Sequence, residues 1–164
     1  MNYRRVDHSV CFLNDKYIYA TGGSIRQDNL CQTTERYDVY MDRWAKMPNL
    51  NIGRCYHASV SFGARYVFVL CGLVLEKRQV EIQSAEDRGI IIQEKESWVP
   101  SNTIERFDPL SRAAGWSKIE IFDSPLTARR CPGVLQTSES EISIFGGLQG
   151  SKEFKARYIF NVDA

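Results

Sequence analysis

The apolar positions of the chain fall in short runs closed by polar pairs and glycines. Ser9 to Leu13 and Ala58 to Phe62 lead into Asn14-Asp15 and Gly63-Ala64, which read as hairpin turns. Aromatic and β-branched runs follow: Tyr17-Ile18-Tyr19, Tyr66-Val67-Phe68-Val69 and Ile142-Ser143-Ile144-Phe145. Such side chains suit a pleated, half-buried surface and favour strands. Gly22-Gly23, Cys71-Gly72 and Gly146-Gly147 end these runs, where close backbone approach or a positive φ excludes a Cβ. A (Tyr/Phe)-Asp strand comes third. A Trp strand, Arg43 to Met47 or Gly115 to Glu120, comes fourth.

The pattern recurs. Thr34-Glu35-Arg36-Tyr37-Asp38 returns as Ile104-Glu105-Arg106-Phe107-Asp108, and Arg5-x-x-His8 returns as Arg54-x-x-His57. Trp44 returns as Trp116. A third copy opens at Arg129-Arg130 and reaches Gly146-Gly147, without a third repeat Trp. Its Tyr-Asp counterpart is either Phe160-Asn161 or Val162-Asp163. The organisation expected is repeat 1 over about 4–50, repeat 2 over about 51–125, and a partial repeat 3 over about 126–164. Repeat 2 contains an inserted segment of about 73–102. Four short strands in about 50 residues form one twisted sheet that cannot bury both faces alone, and radial stacking of such sheets gives a propeller. Trp44 and Trp116 are expected as wedges between adjacent blades.

The Gly-Gly pair, the Tyr-Asp pair, the Trp six residues past Asp38 and the Arg-x-x-His restart resemble the kelch repeat. The resemblance covers nearly the whole chain apart from the insertion. Departures are Cys71 in place of the first glycine, eight residues from Asp108 to Trp116, and no His after Arg129. The fold class expected is therefore all-β: kelch-type blades of four antiparallel strands in an incomplete ring of about three. The framework residues are Gly22, Gly23, Tyr37, Asp38, Trp44, Gly72, Phe107, Asp108, Trp116, Gly146 and Gly147. Propellers close with about four to eight blades, so a fragment, a truncated product or self-association is expected. An open array exposes apolar faces and a sheet edge.

Connectivity locates a binding face. In a meander the loop after strand two and the loop joining blades emerge together, opposite the other two hairpins. The insertion therefore projects from that face. Gln79-Val80-Glu81-Ile82-Gln83 alternates, and Gly89-Ile90-Ile91-Ile92-Gln93 follows the turn-like Ala85-Glu86-Asp87-Arg88, so a protruding hairpin is expected. Val80, Ile82, Ile90 and Ile92 either pack on the blade or contact a partner. The repeat-opening arginines lie on the same face. They either tie blades together through carbonyls or hold a carboxylate-bearing peptide. Candidate partner-binding residues are Arg26, Gln27, Arg54, Tyr56, Arg78, Arg129 and Arg130.

Composition narrows the function. The balance of 21 basic and 20 acidic residues creates no field for nucleic acid or an anionic membrane. No apolar run is long enough to span a bilayer. No secretory signal is visible at Met1-Asn2-Tyr3-Arg4-Arg5. Five cysteines without a CxxC suit reduced thiols in a cytoplasmic protein.

The resemblance implies a non-catalytic scaffold or substrate-recruiting adaptor fragment with a protein or peptide partner, for example a ubiquitin-ligase or cytoskeletal component. No cofactor is expected. The alternative is a fragment of a galactose-oxidase-like propeller enzyme, whose copper site uses two His and two Tyr. His8 and His57 occupy equivalent repeat positions, so repetition accounts for both. No hydrolase elbow, phosphate-binding glycine loop or zinc-protease motif is present.

Overall fold

A computed structural model describes residues 1–26, 29–83, 90–111, 115–119 and 126–162. Every regular element among them is a strand. Blade 1 contains β1 (Ser9–Leu13) and β2 (Tyr17–Thr21), a small hairpin of β3 (Ser24–Arg26) and β4 (Asn29–Leu30), then β5 (Thr34–Asp38) and β6 (Arg43–Met47). The entry strand β7 (Arg54–Cys55) precedes blade 2. Blade 2 contains β8 (Ala58–Phe62), β9 (Tyr66–Leu70), the long hairpin β10 (Leu73–Gln83) and β11 (Ile90–Pro100), then β12 (Ile104–Phe107) and β13 (Trp116–Ile119). Blade 3 contains β14 (Gly133–Gln136), β15 (Glu141–Phe145), the hairpin β16 (Leu148–Gln149) and β17 (Lys152–Glu153), then β18 (Arg157–Asn161).

The sheet orders are β1-β2-β5-β6, β8-β9-β12-β13 and β14-β15-β18, all antiparallel. Blade 3 shows no fourth strand among the described residues. The innermost strands stack, β1 against β8 and β8 against β14. The three blades form an open array and not a closed ring. Register settles the alternative in repeat 3: Phe160 pairs with Ile142 as Tyr37 pairs with Ile18. Phe160-Asn161 is therefore the counterpart of Tyr37-Asp38.

Blade 2 is buried on both faces, and β9 shows how. Val67 and Val69 join Leu13, Tyr19, Leu50, Phe107 and Trp116 in the core between blades 1 and 2. Phe68 and Leu70 join Val60, Phe62, Ile104, Ile142 and Ile144 in the core between blades 2 and 3. Alternate side chains of a strand point to opposite faces, so one apolar run serves two cores. Trp116 is a wedge as expected: it stacks on Phe107 at 5.3 Å and its indole nitrogen donates to the Pro48 carbonyl of blade 1 at 3.0 Å. Trp44 departs from that expectation. It is half-buried against Tyr37 of its own blade and belongs to neither core. Its face of blade 1 points away from blade 2.

The segments that lead into blades 1 and 2 are each locked by a buried ion pair. Arg54 and Glu105 have no exposed side-chain surface and meet at 2.6 Å. Arg54 also donates to the carbonyls of Cys71 and Thr103 and to Thr103 Oγ1. Glu105 accepts from the Asn51 amide and side chain and from the Ile52 amide. Arg5 and Glu35 repeat the arrangement at 2.9 Å, with Gly22, Thr33, Asn2 and Tyr3 as partners. Burial raises the Glu35 pKa, but the amides of Asn2 and Tyr3 and the Arg5 guanidinium outweigh it and hold the carboxyl below its usual range. The third blade breaks the rule, since Tyr158 pairs with Ile144 where Glu35 pairs with Ala20.

The glycine that closes β9 is a steric requirement. Gly72 sits at φ +94, and a Cβ there would lie 2.6 Å from the Cys55 carbonyl oxygen and 2.7 Å from the His57 Cβ. Cys71, in the first-glycine position, adopts φ 64 while fully buried in the blade 2–3 core. Left-handed backbone is costly for a residue with a side chain, and here packing holds it in place.

The ion pair gives a direct test. Glu105→Gln leaves Arg54 buried without a counter-charge and is expected to cost about 3 to 5 kcal/mol in urea denaturation. Glu76→Gln, which removes the exposed Arg78 partner, is expected to leave the midpoint unchanged.

Candidate functional site

Three backbone pairings place three hairpins on one face. Val6 bridges Ser24, Cys55 pairs with Leu73, and Arg130 bridges Leu148. In every repeat the residue after the opening Arg meets the residue after the second glycine. The inserted segment is thus the elongated form of a hairpin that each blade possesses. It spans Leu73 to Pro100 in continuous antiparallel register, as expected from its alternation. The turn residues 85–88 lie outside the described residues.

The long hairpin has two distinct faces. One carries Leu75 opposite Trp98, then Lys77 opposite Glu96, with Lys77 at 3.4 Å from Glu96 and 3.6 Å from Glu94. The other carries Arg78, held locally by Glu76 at 2.8 Å. Val80 and Ile92 are exposed and do not pack on the blade. The side chains of Ile82 and Ile90 are outside the described residues.

Leu75 and Trp98 wall a cleft between this hairpin and the β3–β4 hairpin of blade 1. One recess, about 490 Å³, is lined by Ile25, Leu30, Ile52 and Leu75 together with the amides of Asn29 and Gln32. A second, about 200 Å³, is lined by Val6, Asp7, Arg26, Cys55, Tyr56 and Trp98. Ile25 and Arg26 are neighbours on β3 and face one recess each. The floor between them is the linker Ile52 to Tyr56.

The second recess has a preset wall. Asp7, Tyr56 and Cys131 hold equivalent places in the repeats and share left-handed φ angles of 54, 51 and 54. The Tyr56 amide donates to the Asp7 carbonyl at 3.0 Å, and the Cys131 amide donates to the Tyr56 carbonyl at 2.7 Å. Hydrogen bonding to Asp7 raises the Tyr56 phenol pKa, and the nearby carboxylate charge adds to it. Tyr56 therefore stays a neutral hydroxyl beside an anion. A ring with one polar tip suits an interface that is apolar in its centre and wet at its rim.

The structure sorts the candidate residues. Arg26 and Tyr56 meet in the second recess, and Gln27 lies outside the described residues. Arg78 is on the far side of the hairpin. Arg54 and Arg129 are corrections: both are buried and their guanidinium groups are spent inside the fold. Arg54 is the ion-paired latch. Arg129 donates to the Thr127 and Gly146 carbonyls and lies over the Phe154 ring at 4.2 Å. A ring of open arginines is thus not formed. Arg130 is half-buried where its backbone bridges Leu148. Trp98, Leu75 and Leu30 escaped the sequence reading. Trp98 carried a signal, as the one tryptophan of three with no place in the repeat.

The histidines are framework residues. His57 is buried, and its Nε2 lies 3.0 Å from Thr21 Oγ1. Burial, the Arg54 charge and His8 push its pKa from 6.5 down to about 3. Among the described residues no group of three or more His, Cys, Asp or Glu side chains is placed to hold a metal ion.

Antiparallel four-stranded sheets stacked through their inner strands define the β-propeller class. Within it, residues 4–51, which contain blade 1, match the family model of the Kelch motif, and blade 2 repeats the strand order of that blade. The solved structure of YjhT is similar over 98% of this chain, with a TM-score of 0.67 and 14% sequence identity. That likeness is one of fold. The chain spans 44% of the YjhT chain, less than half of its length. Comparison with curated proteins returned no match.

The buried imidazole predicts a pH dependence. The unfolded chain takes up a proton at His57 as pH falls through 6.5, whereas the folded chain resists until about 3. The unfolded state therefore binds more protons in that window, and stability declines as pH falls from 6.5 toward 3. Urea midpoints measured at pH 7 and pH 5 are expected to fall less in His57→Asn than in the parent chain.

Proposed function

We propose that this chain is a non-catalytic protein-interaction module that engages a peptide or loop in the cleft between the β3–β4 and β10–β11 hairpins. The observation that carries this reading is the cleft itself. Two recesses share one linker floor, with Leu75 and Trp98 on one wall and Ile25 and Arg26 on the other. Apolar and aromatic surface in the centre with amides and charges at the rim is the usual anatomy of a recognition site. Ile25, Leu75 and Tyr56 are 49, 37 and 36% exposed, so the surface is open to a ligand. Aromatic anchors of this kind dominate binding energy when a partner desolvates them. All five thiols are free, which supports a reducing compartment and an adaptor working in the cytoplasm.

Selection from a random-peptide phage library on the purified chain tests the reading. The expected result is a family of extended binders whose affinity drops at least ten-fold in Trp98→Ala and in Tyr56→Ala. Arg78→Ala, on the far face of the hairpin, should leave affinity unchanged. Binders indifferent to both aromatic substitutions, or no binders at all, would overturn it.

A further inference from the structure

The long hairpin outruns its support. β10 pairs with β11 along its whole length, but with the entry strand β7 only at Leu73 and Val74. Beyond that point the linker leaves, because the amides of Asn51 and Ile52 turn away to donate to Glu105. From Leu75 to Glu81 the edge of β10 that faces away from β11 therefore has no backbone partner among the described residues. The hairpins of blades 1 and 3 have no such stretch. Their strands β3 and β16 end almost at the bridges that Val6 and Arg130 make to Ser24 and Leu148. The outward amides and carbonyls of an open edge are a template for another extended chain.

The bare edge rises beside the first recess. Ile52 and Gly53, where the linker departs, line that recess together with Leu75, Ile25 and Leu30. A strand laid along β10 from there continues the line of β7, in the antiparallel sense that β7 already sets. Its side chains on the Leu75 side meet an open apolar hollow. The outer edge of β11 is a poorer template, because Pro100 at its base has no amide hydrogen to give. Charge narrows the occupant. On the side of the ribbon that carries Leu75 and Trp98, Lys77 stands against Glu81, Glu94 and Glu96, a surplus of carboxylates. A second copy paired edge to edge about a two-fold axis would set that same face, and the same surplus, beside its equal.

We propose that the partner segment binds as an added β-strand, its backbone paired antiparallel to β10 between Leu75 and Glu81. It places an apolar side chain against Ile25, Leu30 and Leu75, and it carries Lys or Arg toward the tip of the hairpin, near Glu81 and Glu94. The proposal rests on the cleft being a peptide-binding site. In strand addition the main-chain bonds supply affinity, and pockets for alternate side chains supply specificity. The occupant is thus an extended segment, basic and apolar on the side that faces the cleft, with no proline at the amides that face β10.

The test uses the tightest binder from the peptide selection and a set of variants of it, each N-methylated at one backbone amide. Methylation removes a donor from the peptide and leaves the folded chain untouched. Successive amides of a strand point to opposite sides, so affinity is expected to fall about ten-fold at alternate positions and to hold at the positions between. Amide hydrogen exchange read by NMR supplies the other half. With saturating unmodified peptide, alternate amides within 75–81 are expected to slow at least ten-fold, while those of β11 keep their rates. Losses at no position, or at runs of adjacent positions, overturn the proposal; if Trp98→Ala still weakens binding, the cleft reading stands without it. Protection along β11 in place of β10 overturns it, as do binders rich in Asp and Glu. Protection of the same β10 amides without peptide, rising with chain concentration, makes a second copy the occupant and overturns it too. Absence of any binder removes the cleft reading and this proposal together.

Discussion

A guanidinium buried beside a carboxylate is the constraint around which this array is built. Removing both charges from water is expensive, and their attraction offsets that cost only when every remaining donor and acceptor is engaged. Arg54 and Glu105 nearly meet that condition with carbonyls, a threonine hydroxyl and backbone amides drawn from the linker and two strands, while the Arg54 Nε is left unpaired among the described residues. The pair therefore fixes where the chain leaves one blade and enters the next. The same contacts recur at Arg5 and Glu35. In blade 3 the carboxylate is absent and Arg129 rests on the Phe154 ring. A cation over an aromatic face is a weaker restraint than a buried, hydrogen-bonded pair.

With the linkers fixed, one strand pattern builds two cores. The residues of β9 alternate between the blade 1–2 cluster and the blade 2–3 cluster, so a one-residue slip would exchange the contents of both. The hairpins after each second strand stand apart from this. They pair with the entry segments at Ser24, Leu73 and Leu148 and contribute little to either core. The recognition cleft is therefore assembled from elements whose side chains the cores do not need.

The repeat made most of the fold legible. Gly22-Gly23, Tyr37-Asp38 and Trp116 recur in order, and spacing alone located the blades, the shared loop face and the long hairpin. The roles of individual residues were harder to read. Arg54 looks the same in sequence whether it faces a ligand or a buried glutamate; only the register that brings Glu105 to 2.6 Å decides. Trp44 and Trp116 share a motif, yet one is covered and one is open, because burial depends on whether a blade lies in front. Phe160 could be matched to Tyr37 only after pairing with Ile142 was seen. The cleft was illegible for a related reason. Ile25, Tyr56 and Trp98 are distant in sequence and meet only because two hairpins rise from equivalent points of adjacent blades.

The alignment of the long hairpin is set at its base, where Leu73 and Val74 pair with Cys55 and Arg54. Beyond that anchor its length is a free variable for the fold but not for recognition. Adding one residue to a single strand turns every later side chain to the opposite face, whereas adding one to each strand preserves the partner of every residue nearer the base. Leu75 and Trp98 sit two positions above Leu73 and Pro100, within the part that such growth leaves untouched. The arm can therefore lengthen or shorten at its tip, gaining or losing reach, while the grip at its root stays the same.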